Sequence, residues 1–229
     1  MEVLKRNYDE ILEKVEKACH LAGRKPEEIE IVGVTKTVDT EKISASLDMG
    51  IKIIGENRVQ EFLSKYDFLS KKDVKFHIIG TLQRNKVKYI CDKVDMIQSV
   101  NSVKLMDEID KECKKHSKIM DCLLEINIGE ELSKSGADKD ELQRMLENAA
   151  KCSNIRVKGL MCIPPRSLDE AEIRNNFNKL YKIYIDNKGK KMDNISMDIL
   201  SMGMSADFYY AILEGANMIR VGTALYGHR

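Results

Sequence analysis

Eight short apolar runs punctuate this chain, and a helical pattern fills each gap between them. The runs fall at residues 31–36, 51–54, 76–79, 96–100, 119–126, 155–162, 198–201 and 218–221, and they are rich in Val, Ile, Leu and Met. Continuous apolar runs of this length read as strands covered on both faces, the kind found in parallel sheets. A parallel neighbour is reached by a right-handed crossover, which uses a helix, and eight such units within one domain-sized chain predict a closed barrel. The intervening patterns predict helices at about 43–49, 58–69, 83–91, 104–116, 139–152, 168–187 and 205–213. Ahead of the first strand, Leu4, Tyr8, Ile11, Val15, Ala18 and Cys19 recur at spacings of three and four, a long amphipathic helix ended by Gly23 and Pro26. The predicted fold is therefore α/β, a single (β/α)8 TIM barrel over residues 1–229 with an extra N-terminal helix. The alternative is an open doubly wound sheet. That sheet calls for Gly-x-Gly-x-x-Gly at its first turn, where this chain has Thr35-Lys36-Thr37-Val38. Pro164 and Pro165 directly follow a strand and read as a stiff loop at the barrel mouth rather than an interdomain linker.

Composition narrows the partners. With 43% hydrophobic residues in 229, the chain holds enough apolar side chain for a substantial core. Lys and Arg total 38 against 37 Asp and Glu, so no global field draws it to nucleic acid or a membrane. The six cysteines contain no Cys-x-x-Cys pair and read as reduced core residues, which together with an N-terminus lacking an apolar block predicts a cytoplasmic protein. The four histidines show no metal-ligand spacing, so no metal site is predicted.

In parallel barrels chemistry sits at the C-terminal ends of the strands. Lys36 ends the first run and, by period-two alternation, shares a face with Val32 and Val34. If those side chains point inward, its amine lies half-buried at the mouth, where burial lowers an ammonium pKa and makes the amine a nucleophile toward aldehydes. A solvated loop lysine is the plain alternative. Other strand ends carry Gly55-Glu56-Asn57, Gly80-Thr81, Ser201-Met202-Gly203 and Gly222-Thr223. The stretch from Ser201 to Ser205, together with Gly222 and Thr223, resembles a phosphate cradle at the last two strand ends; ordinary βα turns with ordinary caps remain the other reading. Arg220 interrupts the apolar run at 218–221 and needs a partner, either a carboxylate such as Glu56 or a cofactor ring nitrogen or phosphate.

Several blocks together carry a family likeness. Val34-Thr35-Lys36-Thr37, Gly55-Glu56-Asn57-Arg58-Val59-Gln60-Glu61, His77-Ile78-Ile79-Gly80-Thr81-Leu82-Gln83-Arg84-Asn85-Lys86, Ser201-Met202-Gly203-Met204-Ser205-x-Asp207, Arg220-Val221-Gly222-Thr223 and Tyr226-Gly227-x-Arg229 resemble the pyridoxal phosphate homeostasis protein family. The resemblance implies a barrel similar to that of alanine racemase, holding pyridoxal 5′-phosphate as a Schiff base on Lys36. It implies that Ser201, Gly222 and Thr223 bind the phosphate, that Arg220 lies by the pyridine ring, and that Asn57 lies close to the cofactor. Val38 departs from the pattern, since many relatives carry a basic residue there. The implied role is storage, buffering or delivery of the cofactor to apoenzymes, as a monomer and without catalytic turnover. The competing readings are an amino-acid racemase-like enzyme and a lysine-dependent aldolase. Racemisation needs acid/base groups on both faces of the α-carbon, and related racemases bring the second from a further β domain, where this sequence stops at Arg229.

Overall fold

The computed structural model describes residues 1–129, 136–165, 167–189 and 193–227. Strands β1 (Glu30–Val34), β2 (Ile53–Glu56), β3 (Lys75–Ile78), β4 (Met96–Val100), β5 (Met120–Glu125), β6 (Ile155–Met161), β7 (Ile195–Met204) and β8 (Met218–Val221) close a parallel barrel in chain order. Around it lie helices α1 (Glu2–Leu21), α2 (Thr40–Asp48), α3 (Val59–Leu69), α4 (Val103–Lys115), α5 (Lys139–Ala149), α6 (Glu170–Lys188), α7 (Phe208–Leu213) and α8 (Thr223–Tyr226). The barrel and its N-terminal helix are those read from the sequence. Arg229, part of the terminal family block, lies outside the described residues.

Alternation along each strand divides the core into two layers. Ile54, Ile78, Ile97, Leu124, Leu160, Leu200 and Ile219 face outward into the main cluster against the helices. Val32, Ile53 and Met218 form one small inner cluster, and Met96, Leu123 and Met161 form another. Ile199 packs against both, so the barrel axis is filled rather than open. Asp39, Ser102, Asp138 and Asp169 cap α2, α4, α5 and α6 with side chains that accept first-turn amides, which fixes where each helix leaves its loop.

Helix α8 has only four residues, too few to cover the last crossover. The N-terminal helix fills that place, since α1 packs against both α7 and α8. Asn7 donates to Leu225 O at 3.0 Å and Lys42 to Tyr226 O at 2.6 Å, which ties α8 to α1 and α2 and closes the ring.

Three elements differ from the reading above. The segment expected as a helix at 83–91 is a 3₁₀ turn at Arg84–Tyr89 with one buried residue, Val87, too little apolar surface to anchor a longer helix. Strand β7 starts at Ile195 because Ile195 and Met197 alternate into the core ahead of the expected run. Strand β1 stops at Val34, where the chain turns and Val38 N–H bonds Thr35 O at 3.0 Å. All six cysteines are free thiols, and among the described residues no helix is long and apolar enough to cross a membrane.

Candidate functional site

Four neighbouring strand ends, those of β7, β8, β1 and β2, gather the residues of interest at one side of the barrel mouth. Lys36 occupies the second position of the turn after β1. It is exposed rather than half-buried, because β1 ends two residues before it. Its amine makes no hydrogen bond or ion pair among the described residues. Thr37 follows with φ 58°, a left-handed conformation costly for a β-branched residue and therefore held by its surroundings. Asn57, after β2, is half-buried. Its backbone approaches Gly80 so closely that a Cβ there would lie 2.6 Å from Asn57 O, so Gly80 is required where β3 ends.

On the other side, Val34 and Gly222 are neighbours, since a Cβ on Gly222 would lie 3.3 Å from Val34 Cβ. This contact sets the loop after β8 beside the Lys36 turn. There the backbone N–H groups of Gly222 and Ala224 donate to one oxygen, Ser205 Oγ, at 3.0 and 3.1 Å. Thr223 lies between them and is exposed. Ser205 is placed by a tight turn in which Asp207 Oδ1 accepts from Met204 N–H at 2.6 Å. Gly203, with φ 88°, allows that turn; a Cβ there would meet Ala211 Cβ at 2.5 Å. The sequence reading placed phosphate donors at Ser201, Gly222 and Thr223; Ser201 is buried in the barrel, and the amides of Gly222 and Ala224 converge on Ser205. The signal was available in the block Ser201-Met202-Gly203-Met204-Ser205, but spacing alone does not say which serine clears the strand.

Ser201 lies lower, inside the barrel, fully buried with Arg220. Arg220 Nη1 donates to Ser201 Oγ at 2.6 Å and its Nη2 to Cys162 O at 2.8 Å. Because arginine only donates, Ser201 passes its own proton to Gln98 Oε1 at 2.7 Å, and Gln98 Nε2 then donates to His77 Nδ1 at 2.8 Å. The result is one directed chain along the barrel interior. Burial, assisted by Lys75, pushes the His77 pKa down to about 3, so the ring is a neutral acceptor. Neither Gln98 nor His77 was named as a partner from sequence, since their pairing depends on strand register.

Glu56 does not pair with Arg220. It points to the outer layer, where Oε1 meets Lys65 Nζ at 2.7 Å, and desolvation raises its pKa against the lowering effects of Lys65 and Thr35. Among the described residues, no carboxylate lies within ion-pair distance of Arg220. Burial lowers its pKa from the usual 12.5, with Asp207 nearby acting in the opposite sense, yet arginine keeps its proton. A fully buried cation without an ion-pair partner is costly unless something acidic or electron-rich meets it.

The family model for the N-terminal domain of alanine racemase matches residues 5–229, which makes the chain a barrel of that class. The pyridoxal phosphate homeostasis protein of Aquifex aeolicus is 42% identical over 219 residues, covering 96% of this chain and 95% of that protein. PipY of Synechococcus elongatus, solved with PLP bound, superposes with a TM-score of 0.82 at 29% identity, covering 93% of this chain and 100% of that one. The chain belongs to the pyridoxal phosphate homeostasis protein family. An alanine racemase from Clostridium difficile shares the fold, with a TM-score of 0.74 at 17% identity; the match covers all of this chain and 57% of the racemase.

Proposed function

We propose that this protein binds pyridoxal 5′-phosphate by a covalent bond to Lys36 and acts as a cytoplasmic, monomeric carrier that buffers the cofactor or passes it to apoenzymes. The observation that carries the reading is Arg220, a buried cation with no carboxylate in ion-pair range among the described residues, set beneath a mouth that bears an unengaged amine and two amides converging on Ser205 Oγ. The residues fit the group: an amine for an aldehyde, amide and hydroxyl groups for a phosphate, and a buried cation for an electron-rich ring. When bound, the cofactor supplies an aldehyde that condenses with an amine.

Each residue then has a task. The N–H groups of Gly222 and Ala224, which donate to Ser205 Oγ, would turn to the phosphate together with the hydroxyls of Ser205 and Thr223. Each hydrogen bond to such an anion contributes roughly 1.5–3 kcal/mol, enough for several to hold the ligand before Lys36 reacts. Ser201 and Cys162 O aim Arg220, whose positive charge would disfavour a proton on a ring nitrogen placed beside it. Asn57 borders the mouth on the β2 side. An unprotonated ring nitrogen withdraws electrons weakly, which suits holding the cofactor rather than turning over amino acids. The relatives' names support the same role.

Absorbance titration tests the reading. Wild type is expected to take up pyridoxal 5′-phosphate with a new absorption band, to bind unphosphorylated pyridoxal far more weakly, and to lose the band in Lys36→Ala. Ser205→Ala is expected to weaken binding without abolishing the band. A wild type that develops no band, or a Lys36→Ala variant that keeps it, overturns the assignment.

A further inference from the structure

The turn that presents Lys36 is gripped from outside the barrel by two charged residues of α3, and the proposed function leaves both of them unused. The three protons of the Lys65 ammonium are each taken: by Thr35 O at 2.7 Å, by Glu56 Oε1 at 2.7 Å and by Glu61 Oε1 at 2.8 Å. Thr35 Oγ1 also donates to Glu56 Oε1 at 2.6 Å. On the other side of Lys36, the N–H of Thr37 donates to the same Glu61 oxygen that Lys65 holds. Both neighbours of Lys36 are thus fastened to one ion cluster, and Thr37 carries the strained φ of 58°.

A cluster serving only to glue α3 to the sheet needs Lys65 and Glu56, whose side chains are 11% and 2% exposed. Glu61 adds a bond whose donor is the backbone immediately after Lys36. Among the described residues no other group accepts from Thr37 N–H, so without that acceptor a β-branched residue relaxes out of the left-handed region. The turn would then swing Lys36 off its line of approach. Resting on the covalent role of Lys36 proposed above, we infer that Glu61 and Lys65 are positioning residues: they fix the turn so that the Lys36 amine meets the cofactor aldehyde. In that step the ammonium first loses one proton to solvent and the neutral amine adds to the aldehyde carbon; the two hydrogens left on nitrogen then depart with the aldehyde oxygen as water, so that a C=N bond replaces the C=O bond. Lys65 itself has no free donor and is not the nucleophile.

The test separates positioning from binding. Covalent capture is followed by rapid-mixing absorbance at saturating pyridoxal 5′-phosphate, and binding of pyridoxine 5′-phosphate, an alcohol that cannot be captured, is measured by calorimetry. Glu61→Ala is expected to slow capture by about 10-fold to 100-fold, the scale of a small misplacement of reacting atoms, while pyridoxine 5′-phosphate binds as to wild type. Glu61→Gln, which keeps an oxygen for Thr37 N–H, is expected to restore most of the rate. Glu61→Asp, one methylene shorter, withdraws that oxygen and serves in place of the alanine variant should the latter not fold. Capture by Glu61→Ala or Glu61→Asp at the wild-type rate overturns the inference. So does a Gln variant as slow as Ala, or an equal loss of pyridoxine 5′-phosphate binding. A wild type that captures nothing instead refutes the role of Lys36 on which the inference stands.

Discussion

Arg220 Nη1 donates to Ser201 Oγ across 2.6 Å, inside the barrel and out of reach of solvent. Ser201 is thereby both the acceptor that aims the guanidinium and the donor that passes order on to Gln98. Ser201→Ala strips both bonds at once, leaving a buried N–H and a buried carbonyl oxygen unmatched. The expected loss of stability is about 1–3 kcal/mol in urea unfolding. The variant is also expected to hold pyridoxal 5′-phosphate less tightly, because Arg220 loses its aim. Unchanged stability would show that Ser201 is not part of the chain that orders the interior.

The far end of that chain makes stability depend on pH. His77 has a folded pKa of about 3, below its usual 6.5, so the unfolded chain takes up a proton that the folded chain refuses. The stability conferred by neutral His77 is complete above about pH 6.5 and is lost as the pH falls toward 3, at roughly 1.4 kcal/mol per pH unit. Replacing His77 by Asn is expected to flatten this slope relative to wild type in urea unfolding series at pH 7 and pH 4.5. Parallel slopes for the two proteins would mean that His77 titrates normally in the fold.

The ion cluster on α3 makes a second stability prediction, separate from its effect on capture. Lys65→Met leaves Glu56 and Glu61 without their shared cation, and breaking such a buried pair costs about 3–5 kcal/mol. Adding Glu56→Leu removes the stranded carboxylate and is expected to recover part of that loss. Chemical denaturation of both variants checks the order; a Lys65→Met protein as stable as wild type contradicts it.

The electronic role proposed for Arg220 makes a signed prediction. Glu in its place would favour a protonated ring nitrogen and strengthen the ring as an electron sink. Arg220→Glu is therefore expected to exchange the α-proton of alanine faster, per mole of bound cofactor, than wild type or Arg220→Gln. Nuclear magnetic resonance in deuterated water measures the exchange. Equal rates in all three proteins would leave Arg220 as a phosphate ligand or a purely structural group.

The barrel was legible because strand and helix periods alternate without interruption, and strand ends are read directly from where apolar runs stop. Lys36, Gly222 and Thr223 were singled out in this way, since each lies where an apolar run stops. What escaped depended on register and depth. Ser201 and Ser205 are both serines in one glycine-containing block, and only the turn held by Asp207 shows that Ser205 faces the amides of Gly222 and Ala224. Glu56 looked like a partner for Arg220, but alternation in β2 sends it outward to Lys65 while Arg220 points in. Lys36 was expected half-buried because the strand was read two residues too long; the turn closed by Val38 N–H ends the strand and exposes the lysine.

Peptide mapping after borohydride reduction in the presence of pyridoxal 5′-phosphate tests the central claim most directly. Reduction makes the bond between cofactor and amine permanent, so mass spectrometry locates it among the 28 lysines. Near-stoichiometric label on the peptide carrying Lys36, absent in Lys36→Ala, is the predicted result. Label spread over surface lysines with Lys36 unmodified would contradict the account.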